Sequence, residues 1–293
     1  MSFWVLCVQN QENFVASKDR NSMNKHLTKE QVEKFNQDGF IFPMDALSAK
    51  EADECRTCVE HFEKETGQHA QDALTLKAHL PYKKFCDLIQ NGRILDAVED
   101  LIGPNIFCWG SSMFVKDPGH GKFVSWHADT YYYGVSPANS LTLWIAFTPS
   151  NKTTGCIKCI PGTHLIETEF DNTPTPDNIL SRGQTTKDVK VDEAVLMPLE
   201  PGQFSIHHEC TVHSSDPNLS DGRRMGMSIH YCSTQCHQEK YLGAKKPAAA
   251  LVRGVDEFGY WEHEKLTEEE YDPNIAHQMI DIRNKFIGRK REA

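Results

Sequence analysis

The chain changes texture near residue 105. Before that point, apolar positions recur at helical spacing. Thr28 opens a T-x-x-Q pattern ahead of EQVEKFNQ. There a hydroxyl and a Gln side chain satisfy each other's free backbone donors, so a helix is predicted to about residue 37. Gly39 ends it, and FIFP reads as a short strand. Ser48 and Glu51 repeat the capping pattern and start an amphipathic helix reaching about Glu65. Residues 82–102 predict a further helical pair, interrupted at Asn91-Gly92 and closed by Gly103-Pro104.

From 106 to 233 short apolar runs alternate with Gly, Pro, Asn and Asp. IFCWGSSMFV, KFVSWH, SLTLWIAF, GCIKCI, AVLMPL, QFSIHH and MGMSIHY each suit a strand. Many short strands separated by turn signals imply a sandwich or barrel. The stretch 166–193 is polar and threonine-rich, and too long for a plain turn. It reads as an active-site lid or, alternatively, a mobile insert. From 237 onward the chain is charged and partly helical. The expected fold class is mainly β with flanking helices. Residues 1–24 form a flexible extension, followed by one domain over 25–293. That domain has a helical part at 28–103, a β core at 105–235 and a charged segment at 236–293.

Composition narrows the partners. The 293 residues suit one large domain or two small ones. Acidic side chains outnumber basic ones, 41 to 31, for a net charge of −10. Nucleic acid demands a basic face, so it is not an expected partner. No apolar run reaches the ~18 residues of a membrane span. Ten cysteines are too dilute for a disulfide scaffold. Two CxxC spacings, Cys55/Cys58 and Cys156/Cys159, raise a four-thiolate zinc site. However, the second pair falls in an apparent strand, where i and i+3 point to opposite faces. Reduced, partly buried thiols are the expectation. The N-terminus lacks a basic n-region and the C-terminal KREA is no peroxisomal address, so an intracellular, cytoplasmic protein is expected.

Fourteen histidines are the compositional anomaly. Four of them head H-x-[DE] pairs: His61/Glu63, His127/Asp129, His207/Glu209 and His237/Glu239. On a strand, i and i+2 share a face, so such a pair can offer an imidazole and a carboxylate to one ion. His61 lies in a predicted helix, where i and i+2 diverge. His237 lies in charged sequence after the last predicted strand. His207/Glu209 is the serious competitor to His127/Asp129. Downstream, His213 ends a strand. Two histidines and one aspartate with open positions make the facial triad of non-haem Fe(II) oxygenases, although zinc hydrolases use similar ligands. Arg224 follows eleven residues after His213. A guanidinium folded back into a barrel needs an anion, and a cosubstrate carboxylate is the economical one. Neighbouring Arg223 should point to the opposite face.

The segments FVKDPGHGKFVSWHAD, TLWIAF, TTGCIKCIPGTHL, LEPGQFSIHHECTVHSSDPNLSDGRRMGMSIHY and LVRGVDEFGYW together resemble the phytanoyl-CoA dioxygenase family. The resemblance spans about 28–262. It implies a double-stranded β-helix, a cupin-like jelly roll, and an Fe(II)- and 2-oxoglutarate-dependent dioxygenase. By that resemblance His127, Asp129 and His213 bind iron. Arg224 pairs with the far carboxylate of 2-oxoglutarate, assisted by Ser215. Trp144 matches a tryptophan lining the cosubstrate pocket, with a core aromatic as the alternative. Lys116 belongs to a K-x-P-G motif with a structural or substrate-side role. Related halogenases lack the aspartate, so Asp129 favours oxidation over halogenation. O2 is consumed, succinate and CO2 are released, and ascorbate is expected to help.

The substrate is not set by the fold. Expected lining residues are 106–116, Thr130 to Tyr133 and the 166–193 insert, with His120, Lys122, His207 and Tyr132 as further candidates. The acidic balance favours a small polar, amino-acid-like metabolite of specialised metabolism over the phosphate-rich coenzyme A ester of an acyl-CoA 2-hydroxylase. Hydroxylation is expected, with desaturation or ring closure as alternatives. A metal-binding cupin-like protein without oxygenase activity is the rival class. A monomer or homodimer is expected.

Overall fold

The computed structural model describes residues 26–130, 134–180, 183, 185–238 and 246–281. The expected extension 1–24 and Tyr132 lie outside the described residues.

The helical part begins with α1 (Lys29–Asp38), followed by β1 (Phe40–Asp45) and α2 (Ala49–Thr66). Both predicted capping boxes are complete, at Thr28/Gln31 and Ser48/Glu51. Gly39 closes α1 with φ 85°, a conformation that glycine reaches without strain. A Cβ there would fall 2.5 Å from His164 Nδ1 and Thr211 Oγ1, so this turn packs directly on the PGTH segment. Next come α3 (Ala70–Ala73), α4 (Lys83–Leu88) and α5 (Gly92–Ile102). Asn91 caps α5 by accepting from the amides of Arg93 and Ile94, which explains the break between α4 and α5. The buried face of α5 is Ile94, Leu95, Ala97, Val98, Leu101 and Ile102.

The β core contains β2 (Ile106–Lys116), β3 (Val124–His127), β4 (Val135–Ser136), β5 (Ser140–Ala146) and β6 (Ile157–Cys159). It continues with β7 (Phe170–Asp171), β8 (Thr185–Thr186), β9 (Val195–Leu196), β10 (Gln203–His208), β11 (His213–Ser215) and β12 (Arg224–Ser233). The chain then adds β13 (His237–Gln238), β14 (Ala248–Arg253) and β15 (Glu262–His263). The larger sheet has the order β1-β10-β5-β12-β2-β14-β15, and the smaller β3-β11-β6-β9. These two sheets, paired mostly antiparallel, are the walls of a cupin-like jelly roll, the fold expected from the sequence.

The segment after 236 is partly helical, over residues 273–281, and it also supplies β14, which pairs with β2 and extends the larger sheet. Its sequence, AAALVR, carries too little alternation to announce a strand.

Strand parity gives the larger sheet two different faces. Met225, Met227, Ile229 and Tyr231 of β12 join Leu141, Leu143 and Ile145 of β5, and Phe204 and Ile206 of β10, in the core shared with the helices. The alternate residues face the barrel: Arg224, Gly226, Ser228 and His230 of β12, Thr142 and Trp144 of β5, and Ser205 and His207 of β10. This inner face is largely polar yet buried. A buried polar face needs partners, which makes it the place to look for chemistry.

The 166–193 stretch contains the β7–β8 hairpin and docks on β3. The Phe123 amide donates to Asp177 O at 3.0 Å, and Asn178 Nδ2 donates to Ser125 Oγ at 2.9 Å. The insert is therefore tied to the strand that carries His127.

Candidate metal centre

His127 ends β3, whereas His213, expected at the end of a strand, begins β11, and the two residues lie opposite each other in the antiparallel pair. Their ring centroids are 4.1 Å apart. Asp129 follows β3 and turns back to them. Its Oδ1 lies 3.4 Å from His127 Nε2 and 3.9 Å from His213 Nε2. One donor atom from each of the three lies within 4.8 Å of the others, and all three residues are buried. Each imidazole is steered by the main chain. His127 Nδ1 is 2.8 Å from Ser125 O, and His213 Nδ1 is 2.9 Å from Thr211 O. A carbonyl accepts, so each Nδ1 carries the proton and each Nε2 lone pair is left for a metal.

The charges agree with that use. Burial and the neighbouring His127 and His207 hold His213 well below the usual histidine range, so it is neutral at pH 7. Burial works to raise the Asp129 carboxyl, but His213, His127 and His207 outweigh it and hold it well below the carboxylate range. Two imidazole nitrogens and one carboxylate oxygen fit a divalent transition metal.

The rival H-x-[DE] pairs resolve differently. His207, on β10, reaches the same centre, with Nε2 3.4 Å from Asp129 Oδ2 and its ring 4.2 Å from that of His213. Glu209 is buried just beyond the end of β10. His61 Nδ1 instead meets Tyr82 Oη at 2.8 Å, while Glu63 binds Arg223. His237 sits half-buried in β13, and Glu239 lies outside the described residues. The CxxC cysteines form no metal-holding group among the described residues. Burial pushes the thiol of Cys55 up to about 12 and that of Cys58 to about 11.

Deeper in the barrel lies a second arrangement. Arg224 is buried, with its guanidinium 4.0 Å above the Trp144 ring. Gly226 makes this possible, since a Cβ there would lie 2.1 Å from Trp144 Cζ2. Arg224 Nε reaches Ser150 Oγ at 3.5 Å, and Nη2 has no hydrogen-bond partner among the described residues. Lys116 is its cross-strand neighbour and equally buried. Lys116 Nζ donates to Ser215 Oγ at 2.6 Å, to Ser215 O and to Asp216 O. Ser215 thus meets Lys116 directly, a link invisible in the sequence. Burial, with Arg224 adding repulsion, pushes Lys116 down to about 6, and burial pushes Arg224 down to about 10. At pH 7 Arg224 is therefore the charged member of this pair, and a buried guanidinium without an acidic partner among the described residues is suited to an anion.

Arg223 goes elsewhere, as strand parity requires. It is half-buried rather than a free surface arginine. It donates to both Glu63 carboxylate oxygens at 2.8 and 2.9 Å and to Asp117 Oδ1 at 2.6 Å. This clamp fixes the K-x-P-G loop against α2. The sequence reading also missed Thr142, whose hydroxyl donates to Asp129 Oδ2 at 2.6 Å. The available signal was its place two residues before Trp144, on the same strand face.

A jelly roll with two histidines and an aspartate gathered at one end of its smaller sheet defines a cupin-like non-haem metal protein. The chain belongs to the phytanoyl-CoA dioxygenase (PhyH) family, whose profile matches residues 35–226. Bovine (Bos taurus) peroxisomal phytanoyl-CoA dioxygenase is 30% identical over 161 residues, 53% of this chain and 47% of that protein. A "probable alpha-ketoglutarate-dependent hypophosphite dioxygenase" of Stutzerimonas stutzeri is 28% identical, over 59% of this chain and 61% of its own. The chain thus covers about half to three-fifths of the length of these relatives. Among solved structures, the apo form of ThoJ, described as a non-haem monooxygenase, matches with TM-score 0.73 and 28% identity. That match covers 89% of this chain and 99% of ThoJ. No helix among the described residues is long and apolar enough to cross a membrane.

Proposed function

We propose that this chain is an Fe(II)- and 2-oxoglutarate-dependent dioxygenase that oxidises a C–H bond of a small polar metabolite. The observation that carries the reading is the buried Arg224. It is stacked on Trp144, flanked by Lys116, and has no acidic side chain paired with it among the described residues. A cupin that merely holds metal does not need an anion socket in the same barrel.

Each residue has a task. His127, Asp129 and His213 would hold the metal, two imidazoles and one carboxylate supplying three of its ligands. Arg224 takes the far carboxylate of 2-oxoglutarate in a two-point fork, which a lysine does less well. Trp144 forms the flat wall under the guanidinium and fixes its plane. Lys116, through Ser215 and Asp216, keeps the strand after His213 in register with this socket. When bound, iron and 2-oxoglutarate convert O2 and a substrate C–H into hydroxylated product, succinate and CO2. The barrel walls exclude bulk water from that reaction.

The substrate rests on the polar inner face and on charge. Arg224 is the buried cation of the cosubstrate socket, and Lys116 beside it is engaged by Ser215 and Asp216. The net charge of −10 is a poor attractant for a coenzyme A ester. Similarity to the bovine enzyme makes an acyl-CoA the competing substrate. Protein with Fe(II), ascorbate and 2-oxoglutarate is incubated with metabolite extracts and, separately, with acyl-CoA thioesters, then read by mass spectrometry. A +16 or −2 shift in a small polar compound is expected. A shift confined to acyl-CoA would overturn the substrate assignment.

A further inference from the structure

The two oxygens of Asp129 have different surroundings. Oδ1 faces His127 and His213. Oδ2 accepts the Thr142 hydroxyl at 2.6 Å and lies 3.4 Å from His207 Nε2. The Thr142 hydroxyl has one proton, and Asp129 receives it. At its 3.0 Å contact with His230 Nδ1, the Thr142 oxygen must therefore accept, so His230 Nδ1 carries a proton. His230 Nε2 is then the lone-pair nitrogen, and it accepts from Ser228 Oγ at 3.2 Å. The ring itself is stacked on Trp109, with centroids 5.1 Å apart. Ser228, His230, Thr142 and Asp129 are all buried. Register explains the assembly, because Thr142 lies opposite His230 on β12 and opposite His207 on β10. One interior threonine thus collects both histidine-bearing strands.

We infer that Ser228, His230 and Thr142 form a directed hydrogen-bond relay that holds Asp129 Oδ2 and commits the carboxylate to a metal through Oδ1 alone. The inference rests on the metal reading of the triad. A carboxylate free to rotate can bind through both oxygens and occupy a position that a bidentate cosubstrate needs. Holding Oδ2 by a donor 2.6 Å away prevents that and keeps the position open. His207, neither of whose nitrogens is hydrogen-bonded among the described residues, flanks the same oxygen and closes the far side. Thr142 and His230 are positioning residues, acting through Asp129.

The test is metal affinity of the full-length metal-free protein, measured by Co(II) titration followed by visible absorbance. Thr142→Val keeps the shape and removes the hydroxyl, whereas Thr142→Ser keeps the hydroxyl. Thr142→Val is expected to weaken Co(II) binding by about 10- to 100-fold, and Thr142→Ser to stay within about 3-fold of wild type. Circular dichroism and thermal melting of both metal-free variants establish that they are folded. If Thr142→Val misfolds, His230→Gln serves as the relay break, with a weaker affinity expected again. Wild-type affinity in folded Thr142→Val, or a loss in Thr142→Ser as large as in Thr142→Val, overturns the relay while leaving the metal site intact. A wild-type chain that binds no Co(II) overturns the metal reading and the relay together.

Discussion

Replacing Arg224 with methionine separates a cosubstrate socket from an ordinary core arginine. The guanidinium is buried, lies 4.0 Å over Trp144, and has an Nη2 without a hydrogen-bond partner among the described residues. Methionine retains most of the apolar stem and removes the fork. Two effects on stability oppose each other. Loss of the contact with Trp144 costs about 1–2 kcal/mol, and loss of a buried cation beside Lys116 relieves a comparable burial penalty. The melting temperature should therefore move by less than about 4 °C. Binding of 2-oxoglutarate behaves otherwise. Removing one partner of a buried, hydrogen-bonded charge pair costs about 3 kcal/mol, roughly 100-fold in affinity. Succinate formation, followed while 2-oxoglutarate and then substrate are varied, reads the two KM values separately. The KM for 2-oxoglutarate should rise roughly 100-fold, and that for substrate by less than about 3-fold. Equal rises, or none for 2-oxoglutarate, would refute the socket. Arg224→Lys should be intermediate, because a point charge replaces a fork.

The other predictions are independent of one another. Asp129→Ala or His127→Ala should abolish both metal binding and turnover, and full activity in either would remove the triad from the mechanism. Gly226→Ala places a methyl 2.1 Å from Trp144 Cζ2, so it should destabilise the fold by about 1–3 kcal/mol in urea unfolding and raise the 2-oxoglutarate KM; an unchanged protein would contradict the packing. In the Arg223 clamp, burial works to raise Glu63 and Asp117 above their ordinary values of 4.5 and 3.8, but Arg223 outweighs it and holds both below. The clamp therefore adds stability above those ordinary values, and the contribution fades as pH falls through the lowered ones. Glu63→Gln should cost about 2 kcal/mol at pH 7 and much less near about pH 3; an equal cost at both would refute the pairing.

How much of this the sequence announces depends on distance along the chain. The helix starts at Thr28, Ser48 and Asn91 are written locally, because a cap is a contact over two or three residues. The strands from Ile106 to Ser233 are legible because turn residues punctuate them. His127 and Asp129 are neighbours, and His213 was found by its context. The Ala-rich β14 carries little alternation, so its place in the sheet comes from pairing with β2 rather than from its own pattern. The relay through Thr142 and His230 depends on cross-strand register, and the Arg223–Glu63 clamp joins residues 160 positions apart. Neither leaves a local mark. His207 shows the same limit. Its H-x-E spacing suggested a rival ligand pair, while its position on β10 turns it toward Asp129 Oδ2 instead.

The central claim is that the triad and the Arg224 socket act together on one cosubstrate. The direct measurement is release of labelled CO2 from 1-labelled 2-oxoglutarate by purified protein with Fe(II) and O2, in wild type, Asp129→Ala and Arg224→Met. The account predicts release that requires Fe(II), vanishes in Asp129→Ala, and returns in Arg224→Met when 2-oxoglutarate is raised roughly 100-fold. Metal bound by the wild type with no CO2 released, in the presence of active metabolite extract, would contradict it and leave a cupin-like metal-binding protein.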